Sequence, residues 1–151
     1  MTTPIKRHNS LQPLSRDHHD GLLLKWKINK GLSKGVDVSR IQKYVDWFFK
    51  EHLIPHFRIE EDHLFTIDKE SSSVKQALLQ HKELVEVFNI EIKDAETLIK
   101  IGDLLEEHIR FEERVLFNEL QTKATESELK EIEVLHYKGT SCDLVEDKFW
   151  V

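Results

Sequence analysis

A ten-residue pattern occurs twice in this chain of 151 residues. Residues 56–65 read HFRIEEDHLF and residues 108–117 read HIRFEERVLF, with six of the ten positions identical. In both copies a histidine precedes a glutamate by four residues, and on an α-helix that spacing sends both side chains out from one face. The pairs are His56 with Glu60 and His108 with Glu112. Two copies are too few for a solenoid, and the segments between them differ. The repeat therefore reads as the two sides of one pseudo-two-fold site.

Apolar periodicity places both copies on long helices. It predicts helices from Ser15 to about Leu32, from Ser39 to about Asp68, from about Val74 to Asn89 and from about Asp94 to Gln121, with a shorter one ending near Tyr137. Ser39 with Gln42, and Thr125 with Glu128, have capping-box spacing. Ser71-Ser72-Ser73 reads as a break and a cap, and Gly31 and Gly35 mark a turn. Pro55 predicts a kink in the second helix, because Ile41, Val45, Phe49, Leu53 and Ile59 keep one face across it. Only 5 glycines and 3 prolines among 33% charged residues suit amphipathic helices and fit an all-β sandwich poorly. The expected fold is all-α: an up-down antiparallel four-helix bundle with a short additional C-terminal helix. Residues 1–13 read as an irregular arm and 14–151 as a single domain, with Phe149 and Trp150 docking on the bundle.

Charge and composition exclude several classes. A net charge of −6 argues against a nucleic-acid partner, since phosphate contact needs a basic excess. No run approaches the ~20 apolar residues of a membrane span, and the first residues hold no signal-like apolar stretch. The cytoplasm is the expected compartment. The one cysteine, Cys142, can form neither an internal disulfide nor a thiolate cage.

Histidine is the unusual residue, with 9 copies. Projected at about 100° per residue, each long helix centres a histidine on its apolar stripe. His18 lies among Leu14, Leu22 and Leu32. His56 lies among Val45, Phe49, Leu53, Ile59 and Ile67, and His81 among Val74, Ala77, Leu78, Leu84, Val85 and Phe88. His108 lies among Ile101, Leu104, Leu105, Phe111, Val115 and Leu116. One such histidine is an ordinary core residue. Four, with Glu60 and Glu112 beside them, would be costly to bury without compensation. A metal cluster compensates, because carboxylates and neutral imidazoles become ligands. Four His and two Glu without thiolate suit iron, manganese or zinc, and suffice for two ions bridged by carboxylates. Glu61 and Glu113, one residue on, point off the stripe and are expected to be solvated. On the first helix the apolar face selects His18 over the adjacent His19. His52 reads as a pocket or surface residue, and His8 and His136 lie outside the pattern.

A histidine early in the first helix, His-x-x-x-Glu on the second, a histidine on the third and His-x-x-x-Glu on the fourth resemble the hemerythrin-like (HHE cation-binding) family over residues 14–121. Asp17-His18 is similar to the acidic-His start common there. The resemblance implies a non-haem di-iron centre with an oxo or hydroxo bridge. It implies that Glu60 and Glu112 bridge the ions, that His18 and His56 bind one iron, and that His81 and His108 bind the other. Members that carry dioxygen reversibly usually have a second histidine one turn after the third-helix ligand. Here that position is Val85, which leaves each iron one donor short of six; His63 is a candidate to fill one.

Oxidising such a pair adds positive charge, so the oxidised site attracts small anions and the reduced site meets dioxygen or nitric oxide. The expected function is binding or sensing of dioxygen, a related small oxidant, or iron itself. Turnover of peroxide or nitric oxide is the enzymatic alternative. A ferritin-like di-iron protein is a third reading, resting on Glu60/His63 and Glu133/His136.

Overall fold

The computed structural model describes residues 6–138 and 147–151. The start of the arm and Cys142 lie outside the described residues. Among the described residues all regular structure is helical. The helices are α1 (Gln12–Ser33), α2 (Val38–Phe48), α3 (Ile54–Ile59), α4 (Ser72–Phe88), α5 (Ala95–Phe111), α6 (Phe117–Lys123) and α7 (Glu126–Lys138). None is long and apolar enough to cross a membrane.

Two long helical stretches are interrupted without being broken. Residues 38–68 run through α2, a π-helical turn at Phe49–Leu53, α3, a second π turn at Glu60–Leu64 and a 3₁₀ end at Phe65–Asp68. Residues 95–123 run through α5, a π turn at Glu112–Leu116 and α6. The first π turn lies just before Pro55, which has no N–H to give a helical ladder, and the chain stays helical across it.

The helix starts correct the sequence reading in two places. The expected irregular arm over 1–13 is helical from Asn9, with a 3₁₀ turn at Asn9–Leu11 leading into α1. Pro13 falls in the first turn of α1, where a missing N–H costs nothing. Leu11 is fully buried and Arg7 donates to the Glu113 carbonyl, Asn118 and Gln121, so this segment is docked. The expected Ser39/Gln42 capping box is absent. Asp37 caps α2 by accepting from the Ser39 N–H, and Gln42 donates to the Glu91 carbonyl. An aspartate at the N-cap offers a full charge to the helix start. The Thr125/Glu128 box is present in both directions, at 2.8 and 3.1 Å, and Ser71 caps α4.

Gly35 supplies the turn after α1 with φ +74°. Gly31 lies inside α1 instead of in the turn. A Cβ there would meet the Phe149 ring at 2.7 Å, so Gly31 is the cradle in which that ring docks. Trp150 sits beside it, under the Lys27 ammonium.

The apolar core forms two clusters. One holds Leu24, Ile28, Val45, Phe48, Phe57, Leu84, Ile101, Leu105 and Phe149, among others. The other holds Leu14, Leu64, Phe65, Val74, Ala77, Leu116, Phe117, Leu129 and Ile132, among others. Along α1 the chain passes from the second cluster to the first, along 38–68 from first to second, along α4 back to the first, and along 95–123 to the second again. On each of these stretches a buried histidine or glutamate falls at the crossing.

Candidate metal centre

The buried polar side chains at these crossings are His18, His56, Glu60, His81, His108 and Glu112. They are brought together as two quartets, His18/His56/Glu60/Glu112 and Glu60/His81/His108/Glu112. Within each quartet one ligand atom per residue lies within 4.8 Å of the others. Both glutamates belong to both quartets. His18 Nε2 is 2.9 Å from Glu112 Oε1 and 3.9 Å from Glu60 Oε2. His56 Nε2 and His81 Nε2 are each 3.2 Å from Glu60 Oε1, and His108 Nε2 is 3.1 Å from Glu112 Oε1.

All four histidines turn Nε2 inward and Nδ1 outward. Three of the outward nitrogens hydrogen-bond one polar side chain each: Asp17 for His56 at 2.9 Å, Glu61 for His81 at 2.7 Å and Gln80 for His108 at 2.7 Å; His18 Nδ1 lies 3.4 Å from Glu113 without a hydrogen bond. An acceptor at Nδ1 fixes that nitrogen as the N–H and leaves a lone pair on Nε2. This is the arrangement a metal-ligating histidine needs. Glu61 and Glu113 are therefore not simply solvated, as their place off the stripe suggested. Each lies beside a glutamate shared by both quartets where a π turn opens, and its carboxylate approaches a histidine of another helix.

The π turns also correct the expected packing. Each inserts a residue and shifts the face that follows. Val115, expected beside His108, is 45% exposed, whereas Phe117 is fully buried and stacks on His18 at 5.1 Å. Ile59 and Ile67 are only partly buried, and Phe57 lies flat on His81 at 3.8 Å.

The remaining histidines separate cleanly. His19 is exposed while His18 is buried. His63, proposed to complete one ion, is half-exposed and faces Glu131 of α7 at 3.9 Å. His136 donates to Asp17 at 2.7 Å, and Glu133 pairs with Lys130, so the Glu-x-x-His residues of the ferritin-like reading do not converge. His8 faces Glu126. Val85, one turn after His81, packs against the first apolar cluster.

Four buried atoms aimed into the cluster have no hydrogen-bond partner: His56 Nε2, both carboxylate oxygens of Glu60 and Glu112 Oε2. Buried polar atoms without partners are rare and costly. A cation between the quartets would satisfy all four, so the donor set fits a metal on its chemistry. Without one, the cluster retains protons. Burial and the neighbouring Glu112 charge push the Glu60 carboxyl well above its ordinary range. Burial acts the same way on Glu112, but His108 and His18 outweigh it and hold that carboxyl low. Burial opposes charging His18 and His81, yet the carboxylates facing them raise each to about 9.

A cavity of about 20 Å³ reaches the cluster, lined by Asp17, His18, His56 and His108 together with Asp20, Phe48, His52 and apolar side chains. One water needs about 10–15 Å³ of such space. The space suits a molecule of diatomic size. Compared with protein-family models, with curated proteins and with solved structures, the chain matches none.

Proposed function

We propose that the cluster is a hemerythrin-like non-haem di-iron centre that binds or senses dioxygen or a related small oxidant. The observation that carries this reading is the pair of quartets sharing Glu60 and Glu112, with every Nε2 turned inward. His18 and His56 would hold one iron and His81 and His108 the other, with Glu60 and Glu112 available to both. The alternating passage of the four long stretches between the two apolar clusters supports an up-down antiparallel bundle around this centre.

An iron pair supplies two one-electron steps and positive charge for a small anion. The chain supplies the rest. Asp17, Glu61 and Gln80 orient three of the imidazoles, and the Glu113 carboxylate lies 3.4 Å from the fourth. Phe57 and Phe117 wall off two of them from water. The cavity at the cluster, about 20 Å³, has the size for a small ligand. One feature favours a second reading, turnover of peroxide or nitric oxide: the cavity wall includes Asp20 and His52, polar side chains that can hydrogen-bond a ligand.

Metal analysis with an optical spectrum, in air and after anaerobic reduction, tests the proposal. About two irons per chain are expected, with an absorption band that changes on reduction. A stoichiometry near one, with Glu60 and Glu112 facing solvent in the loaded protein, overturns it.

A further inference from the structure

The two halves of the cluster are braced differently. Glu61 and Gln80, which hold the outward nitrogens of His81 and His108, lie on the same long helical stretches that carry the site. Asp17, which holds His56, is itself held from outside. One oxygen, Asp17 Oδ2, accepts from His56 Nδ1 at 2.9 Å and from His136 Nε2 at 2.7 Å. His136 belongs to α7, which packs on α1 and α3, the helices of Asp17 and His56. Its side chain is mostly buried, with 17% exposed. The brace runs from α7 through Asp17 to a single imidazole.

We propose that His136 is a positioning residue for the His18/His56 metal position, coupling the docking of α7 to the filling of that position and leaving the His81/His108 position alone. This rests on the dinuclear reading above. With both donors in place, Asp17 has one orientation, and His56 keeps its proton on Nδ1 and its lone pair on the metal side. Without His136 the carboxylate is free to turn toward solvent. His56 then loses the acceptor that fixes its tautomer and ring plane. Linkage is reciprocal, so an ion at His18/His56 must favour the docked α7 by the factor with which docking favours the ion.

The test is a titration of metal-free protein with cobalt(II), read by its visible spectrum, with hydrogen exchange of residues 126–138 followed alongside. The unmodified protein should take two ions, and the one at His18/His56 should slow exchange in α7. His136→Phe removes the donor while keeping an aromatic ring. It should weaken one of the two ions by about 10–100-fold, the range for loss of an outer-sphere partner, and leave the other unchanged. His136→Gln, which retains an N–H donor, should recover most of the loss. Double variants assign the position. His136→Phe should weaken the remaining ion when added to His81→Ala, and have no effect when added to His18→Ala.

Affinities for both ions unchanged in His136→Phe, or α7 exchange slowed by neither ion, overturn the proposal. So does an equal weakening of both ions that His136→Gln does not relieve, which marks a general effect on folding. Uptake of fewer than two ions by the unmodified protein overturns the dinuclear reading itself, an outcome visible before any variant is made.

Discussion

Each site histidine has an inward and an outward nitrogen, and the two differ in how visible they are from sequence. The inward set was legible: His18, His56, Glu60, His81, His108 and Glu112 lie on apolar stripes at helical spacing. The outward set was not, because Asp17, Glu61, Gln80 and Glu113 lie off those stripes on partly solvated faces. A signal was present in the acidic neighbours, since Asp17-His18, Glu60-Glu61 and Glu112-Glu113 each place an acid next to a ligand. His108→Ala should abolish metal loading. It leaves Glu112 without one of its buried partners, so the metal-free fold should lose about 3 kcal/mol as well, seen in denaturant unfolding. His19→Ala should change neither quantity; loss of iron there, with retention in His18→Ala, would reverse the assignment on α1. The pH response follows from His18 and His81, each raised to about 9 from an ordinary value of about 6.5. A raised histidine stabilises the fold fully below its unfolded pKa and loses that contribution as pH climbs through the folded one. Metal-free protein should therefore melt at progressively lower temperature between about pH 6.5 and 9. Metal binding requires neutral imidazole, so affinity should rise across the same window, with protons released on loading. A metal affinity independent of pH there would show that these imidazoles are not ligands.

At the scale of helices, regular periodicity was read correctly and its interruptions were not. The capping of α4 and α7, the exit near Asp68 and the long helix from Asp94 followed from spacing alone. The π turns left no such signal, because an inserted residue looks like an ordinary helical one until the face after it has shifted. That is why Val115 was expected inside and Phe117 was overlooked. α4 is uninterrupted, and of the residues expected around His81 only Leu78 is exposed, at 40%, which makes Val85 a position where the geometry can be tested. A histidine there lies one turn after His81 on the same face. If the proposed di-iron centre forms, the reduced protein should oxidise rapidly on mixing with dioxygenated buffer, because two histidines, two carboxylate oxygens and a bridging oxygen would leave each iron one donor short of six. Val85→His should slow that oxidation in stopped-flow absorbance if its imidazole reaches the iron. A reduced unmodified protein that takes up dioxygen reversibly and stays reduced would count against the open-position account.

Across the whole molecule, the polar centre sits between two apolar clusters that share no residue. Its all-helical character and the docking of Phe149 could be anticipated, whereas the return of the N-terminal segment onto Gln121 and Asn118 could not, since long-range hydrogen bonds carry no periodic signature. The layout has a consequence for cooperativity. Single-domain unfolding is all-or-none when every part of the core depends on every other. Here the two clusters meet across a belt of ionisable groups in which both oxygens of Glu60, Glu112 Oε2 and His56 Nε2 have no hydrogen-bond partner until an ion joins them. Metal would act as a rivet between two half-cores. Calorimetry should then show one transition for the loaded protein, with calorimetric and van't Hoff enthalpies equal. The metal-free chain should unfold in a broader event with the calorimetric enthalpy the larger, the half that contains α7 and Leu116 melting separately from the half that contains Phe149. Equal enthalpies in both states would mean that the helices alone transmit the coupling. Unequal ones would make the ion the element that turns two small cores into one folding unit.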